Sequence, residues 1–184
     1  RVGAKGAAAG IDADADAIRV AKTRAREQLL GWTSFALGEL GRAELQPGAF
    51  DAVVSRFGIS SVADPDAAVA RLSRALAPGG RVSFVCWRGA AENLWFSLPR
   101  LVIVRCFGPE LGSALADTAL GTRPFAFADR EQVLAMLGRA GFVEASVEPL
   151  EMDSWVGDDV DDALEFFYGT DGRPLHHRLH AMSF

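Results

Sequence analysis

The chain has 184 residues, of which 49% are hydrophobic and 23% charged, and its formal net charge is -5. That apolar share is enough for the core of one ordinary domain and excludes disorder as the default reading. The scattered lysines and arginines give no footprint for nucleic acid or anionic lipid, no apolar run approaches the roughly 18 residues a bilayer crossing needs, and no charged-then-apolar secretion pattern opens the chain.

Arg1-Val2-Gly3-Ala4-Lys5-Gly6 reads as the tail of a helix and its glycine stop, so a preceding segment is expected. Residues 7–11 form a short apolar run closed by Asp12, and Asp14 offers an N-cap for a helix with Ile18, Ala21, Ala25 and Leu29 on its apolar face. Residues 33–37 predict a second strand, 38–49 a connection containing glycine and proline, and 50–57 a buried, valine-rich strand. Asp64-Pro65 combines a capping acid with proline at the first helical position. In the helix it starts, Ala68, Leu72, Ala75 and Leu76 share one face, and Pro78-Gly79-Gly80 ends it. Residues 81–87 follow as another buried strand, because Val82, Phe84 and Val85 leave little polar surface for either face. Strands alternating with helices at these intervals predict an α/β fold: a doubly wound, mostly parallel sheet with helices on both faces.

Residues 92–107 predict a helix carrying Trp95, Phe96, Leu98, Leu101 and Val104, interrupted at Pro99, and 108–128 a loop long enough for a lid. Asp129 and Gln132 read as a capping pair before Val133, Leu134 and Leu137, with Gly141 as the stop. Residues 142–150 predict a strand, and an acidic stretch over 158–162 leads into a helix over 163–168. With no internal repeat and no linker, residues 1–184 read as a single domain.

The two cysteines, Cys86 and Cys106, have neither redox nor zinc-type spacing and read as reduced thiols of a cytoplasmic protein. His176 and His180 stand four apart, as a metal pair would on a helix, with His177 between them. No carboxylate completes the set, so no metal site is expected. The acids over 158–162 read as a solvated helix start rather than as bases.

Three segments in order carry a family resemblance: Gly10-Ile11-Asp12, then Phe50-Asp51-Ala52-Val53-Val54-Ser55-Arg56-Phe57-Gly58, then Arg74-Ala75-Leu76-Ala77-Pro78-Gly79-Gly80-Arg81-Val82. Together they resemble class I S-adenosylmethionine-dependent methyltransferases of the kind related to ubiquinone/menaquinone C-methyltransferases, over residues 7–150. Cys86-Trp87-Arg88 and Glu92-Asn93-Leu94-Trp95 are similar to the segment that follows in one subset of that family. The resemblance implies a Rossmann-like fold with S-adenosylmethionine as cofactor and a small organic molecule as methyl acceptor. It implies cofactor contacts at Asp12 with the adjoining Ala13, at Glu39 and Leu40, and at Arg56. An acid at the carboxyl end of a strand suits ribose hydroxyls in any Rossmann-type nucleoside site, and the plain alternative for Asp12 is an Asp-turn before the helix. The adenine position departs from the family's Asp or Asn followed by Ala, since Glu39 is one methylene longer and Leu40 is bulkier.

Nothing in the chain matches the family's first strand and glycine-rich turn, because Gly3 and Gly6 follow no strand. The expectation is therefore an incomplete methyltransferase domain lacking that central strand, and lacking the last strand as well. No catalytic residue is named, because in-line methyl transfer needs alignment more than a base. The rival readings are a nicotinamide-dependent oxidoreductase, which would also use an acid after such a strand, and a non-catalytic remnant or binding domain.

Overall fold

The computed structural model describes residues 2–3, 5–110, 125–153, 155 and 157–167. The chain divides into two compact units, one formed by Arg1–Val85 with Leu134–Ala145, the other by Cys86–Val133 with Ser146–Phe184.

The first unit holds every strand among the described residues. β1 (Ala8–Asp12) runs into α1 (Ala15–Glu27), and β2 (Thr33–Leu37) lies parallel to β1 with Ala8 opposite Thr33 and Asp12 opposite Leu37. Gly10 is required by this pairing, since a Cβ there would lie 2.9 Å from the Phe35 ring. The N-cap of α1 is Asp14, as the sequence predicts, its Oδ1 accepting the Asp16 amide at 2.8 Å. Ile18 and Ala25 are buried on the helix, whereas Leu29 falls beyond its end in a left-handed conformation and is 89% exposed. The expected apolar face is thus shorter by one turn, because the helix closes at Glu27 once the Leu30 amide turns back to the Ala25 carbonyl.

β3 (Phe50–Arg56) and β4 (Leu76–Val85) form a second parallel pair, with Val53 opposite Val82 and Arg56 opposite Val85. Between them α2 (Pro65–Ala75) starts at Asp64, whose Oδ1 accepts the Ala67 amide at 3.0 Å. Ala68, Val69, Leu72 and Ala75 form its buried face. The Leu-Ala-Pro-Gly-Gly segment does not separate helix from strand as expected. It forms the start of β4, where Phe50 faces Leu76 and Ala52 faces Arg81, so that the residues between bulge out of register. Gly79 takes φ +79° within this bulge, a conformation that glycine adopts without a Cβ penalty.

The β3–β4 pair is not buried on both faces. Burial alternates along it, Val54 is 82% exposed, and the strand ends at Val85 rather than Trp87. Every described strand belongs to one of the two parallel pairs, β1–β2 or β3–β4.

The second unit opens with a 3-10 turn, Ala90–Glu92, and α3 (Leu94–Phe107), which passes through Pro99 without a break. Asn93 fastens the start of this helix by donating its side-chain amide to the Arg88 and Gly89 carbonyls, both at 2.9 Å. α4 (Arg130–Arg139) crosses the boundary between units, and its cap is the expected one. Asp129 Oδ1 accepts the Gln132 amide at 3.1 Å while Gln132 Nε2 donates back to Oδ2 at 2.9 Å. These bonds to the ionised form hold the Asp129 carboxyl below its usual value. The helix stops at Gly141, φ +88°, and Arg139 reaches Asp66 on α2 at 2.5 Å.

No strand forms over residues 142–150, contrary to the expectation from the sequence. Glu144 takes φ +55°, which breaks an extended run, and Val143 is 85% exposed with no ladder to join. The last described helix, α5 (Val160–Phe167), confirms the helical reading up to Phe167. Its start is capped by Asp159, whose Oδ1 accepts the Asp162 amide at 2.9 Å.

Candidate functional site

The carboxyl ends of β1 and β2 lie side by side because the pairing puts Asp12 opposite Leu37. The Gly38 amide extends that ladder to the Asp12 carbonyl at 2.8 Å. Gly38 sits close against Ile11, a Cβ there meeting Ile11 Cδ1 at 3.3 Å. Asp12, Ala13, Glu39 and Leu40 therefore gather at one end of one sheet. Asp12 Oδ1 accepts the Asp14 amide at 2.9 Å, so the Asp-turn is real. That bond fixes the orientation of the carboxylate, and among the described residues no hydrogen bond or ion pair engages Oδ2 at the strand end. The turn and a ligand contact are compatible uses of the same side chain.

Glu39 is exposed and pairs with Arg42 at 3.4 Å, and its carbonyl accepts the Arg42 and Ala43 amides at 3.0 and 2.9 Å. Leu40 is half-buried. A flat heterocycle could rest on Leu40, while the Glu39 carboxylate is engaged elsewhere. The two residues expected from the sequence thus lie just past the carboxyl end of β2, with the Glu39 carboxylate turned to Arg42.

Arg56 closes β3, at the corresponding end of the other strand pair. Among the described residues no carboxylate pairs with it; its guanidinium lies 5.9 Å from the centre of the Phe57 ring. No hydrogen bond or ion pair among the described residues joins Arg56 to the Asp12 group.

Sequence reasoning missed the turn that follows. Phe57 takes φ +61°, rare for a bulky residue, while the neighbouring Gly58 is right-handed at φ -72°, ψ -44°. Four bonds hold this arrangement. The Phe57 amide donates to Val85 O at 2.9 Å, its carbonyl accepts the Ser60 and Ser61 hydroxyls at 3.1 and 3.0 Å, and Ser55 Oγ accepts the Ile59 amide at 3.2 Å. The one sequence signal was the run Ser55, Gly58, Ser60, Ser61, rich in short side chains that bond to backbone.

The second unit supplies a different environment. Trp87, Trp95, Phe96 and Phe125 form a chain of rings with centroid separations of 4.8, 5.8 and 4.6 Å. Among the described residues the buried indole nitrogen of Trp95 has no hydrogen-bond partner. An apolar cavity of about 300 Å³ opens beside Ala90, Ala91, Phe96, Ser97, Leu101 and Val104. Arg88 bridges Glu92 and, at 3.3 Å, Glu151. Cys86 is a free thiol, and burial pushes its pKa up, which keeps it protonated. Residues 111–124 of the expected lid, together with Tyr168, His176, His177 and His180, lie outside the described residues.

Comparison with known proteins bears on the fold. A family model described as a methyltransferase domain matches residues 2–84. Among solved structures, an arsenic(III) S-adenosylmethionine methyltransferase from Chlamydomonas reinhardtii is 25% identical with a TM-score of 0.56, covering 92% of this chain and 53% of its own. Phosphoethanolamine N-methyltransferase 2 from Haemonchus contortus, solved with S-adenosyl-L-methionine, is 21% identical with a TM-score of 0.52, covering 74% of this chain and 27% of its own. The cyclase SpnF is 24% identical with a TM-score of 0.50, covering 72% and 41%. The fold is therefore the Rossmann-like α/β fold of methyltransferases, and the chain spans between about a quarter and a half of the length of these structures.

Proposed function

We propose that this chain binds S-adenosylmethionine at the carboxyl ends of β1, β2 and β3 and serves methyl transfer to a small organic acceptor. The observation that carries the reading is Asp12, oriented by the Asp14 amide, with Oδ2 unengaged among the described residues at a strand end. In an open parallel α/β sheet that end is where ligands bind. The methyltransferase family match over residues 2–84 supports S-adenosylmethionine over a nicotinamide as the ligand. Since a cyclase shares the fold, methyl transfer rests on the site and the family match and not on the fold alone.

When bound, the cofactor supplies a sulfonium-activated methyl group. The chain's own residues have to hold and align. Asp12 Oδ2 accepts from the ribose, Ala13 keeps the neighbouring position small, and Leu40 offers an apolar contact for the base. Glu39 reaches the base only by leaving Arg42, an exposed pair that holds it weakly. Arg56 and the turn after it border the methionine portion. Alignment and exclusion of water supply the rate, so no side chain is assigned as base. The finer resemblance to ubiquinone/menaquinone C-methyltransferases makes quinol-type acceptors the first to assay, in a cytoplasmic setting.

Calorimetric titration tests the reading. The chain should take up S-adenosylmethionine in preference to NADH, and Asp12→Ala should weaken binding about tenfold, as expected from losing hydrogen bonds to a charged group. Preference for NADH, or equal affinity of Asp12→Ala and parent for S-adenosylmethionine, would contradict it.

A further inference from the structure

The turn after β3 is held by hydrogen bonds on both sides of Phe57, and it is built around a residue that ordinarily avoids its conformation. Phe57 stands at φ +61° although Gly58, able to adopt that region freely, is its neighbour. A β-carbon at Gly58 would lie 3.2 Å from Ser55 Oγ, which shows what the glycine does instead. It lets the Ser55 hydroxyl close on the Ile59 amide. With Ile59 and Ser60 each only 2% exposed, the far side of the turn is anchored in the core. The Phe57 amide is tied to Val85 O and its carbonyl to two hydroxyls, so the peptide planes on both sides of Phe57 are fixed. Strain of this kind persists only where the surroundings over-determine it, and it collects at ligand sites.

We propose that Phe57 is a positioning residue. Its left-handed backbone holds the Arg56–Gly58 segment in the one shape that receives the methionine portion of the cofactor, and this inference rests on the S-adenosylmethionine reading above. Glycine at position 57 would relieve the strain and also release the turn, so that ordering it becomes a cost of binding. Asparagine tolerates the left-handed region while keeping a Cβ, and so restores the restriction without the ring.

Three variants separate backbone from side chain. Phe57→Gly should melt about 2–4 °C above Phe57→Ala, reversing the usual order, because only alanine meets the left-handed penalty. In calorimetry Phe57→Gly should bind S-adenosylmethionine about tenfold more weakly than the parent, while Phe57→Asn stays within about twofold of it. Phe57→Gly melting at or below Phe57→Ala overturns the conformational basis. Equal affinity in all proteins, or equal loss in Phe57→Gly and Phe57→Asn, overturns the positioning role. Failure of the parent to bind S-adenosylmethionine overturns the functional reading and this proposal with it, an outcome distinct from the others.

Discussion

The two units reach their structure by different routes. In the first, short-range rules suffice for most of the outline: Asp14 and Asp64 start helices, glycines sit where a Cβ would collide, and Ala68, Val69 and Leu72 bury one face of α2. In the second, α3 carries apolar residues on several sides, and Leu94, Leu98, Leu101 and Val102 are all exposed. Its order comes from a chain of aromatic rings and from the Arg88–Glu92–Glu151 cluster rather than from a two-faced pattern. Periodicity is a reliable guide where one face of an element is core and the other is water. It is silent where both faces are apolar.

The sharpest way to break this comparison is to cut the core of α2. Leu72→Ala should lower unfolding free energy in urea by about 2–5 kcal/mol, the usual range for a buried leucine. A loss under about 1 kcal/mol would mean that α2 does not anchor its unit. A smaller effect is expected at the start of α4, where Asp129→Ala should lower Tm by a few degrees at neutral pH. Hydrogen bonds from Gln132 and Glu131 lower the folded value of Asp129 below its unfolded one. The stabilisation is therefore present above the unfolded value and disappears as pH falls through the folded one. Parent and variant melting curves should converge under those acidic conditions, and a gap that persists there would show that the cap acts without its charge. The smallest effect belongs to the second unit: Leu98→Ser, at an exposed position on α3, should change stability by no more than about 0.5 kcal/mol. A large loss would show that α3 is core on that side.

What the sequence made legible follows the same division. The strand–helix order, the three aspartate caps and the placement of Asp12 at a strand end all depend on neighbours within a few residues, and all are found. The strand expected over 142–150 is not, because an apolar-rich run cannot reveal whether a partner edge is at hand, and Glu144 turns the chain away. Val54 is exposed for a related reason: a valine-rich strand reads as buried, but only what packs on the sheet decides that. Leu29 continued the helical period by one position after the backbone had already turned. Phe57 was invisible because its conformation is imposed by Val85 and by hydroxyls at 60 and 61, and nothing in a phenylalanine before a glycine announces it. The position of Asp12 at the end of β1, with Ala13 after it, was legible from the apolar run that precedes them. The engagement of Glu39 by Arg42 was not, since it depends on the turn that Glu39 itself begins.

Hydrogen exchange with and without S-adenosylmethionine tests the central claim most directly, because it reports where the ligand touches rather than only whether it binds. Amides at the ends of β1 and β2, residues 12–14 and 38–40, and in the turn over 56–58 should gain protection, while those of α3 over 94–107 should change little. Protection confined to α3, or no change at the strand ends at saturating ligand, would contradict the assignment.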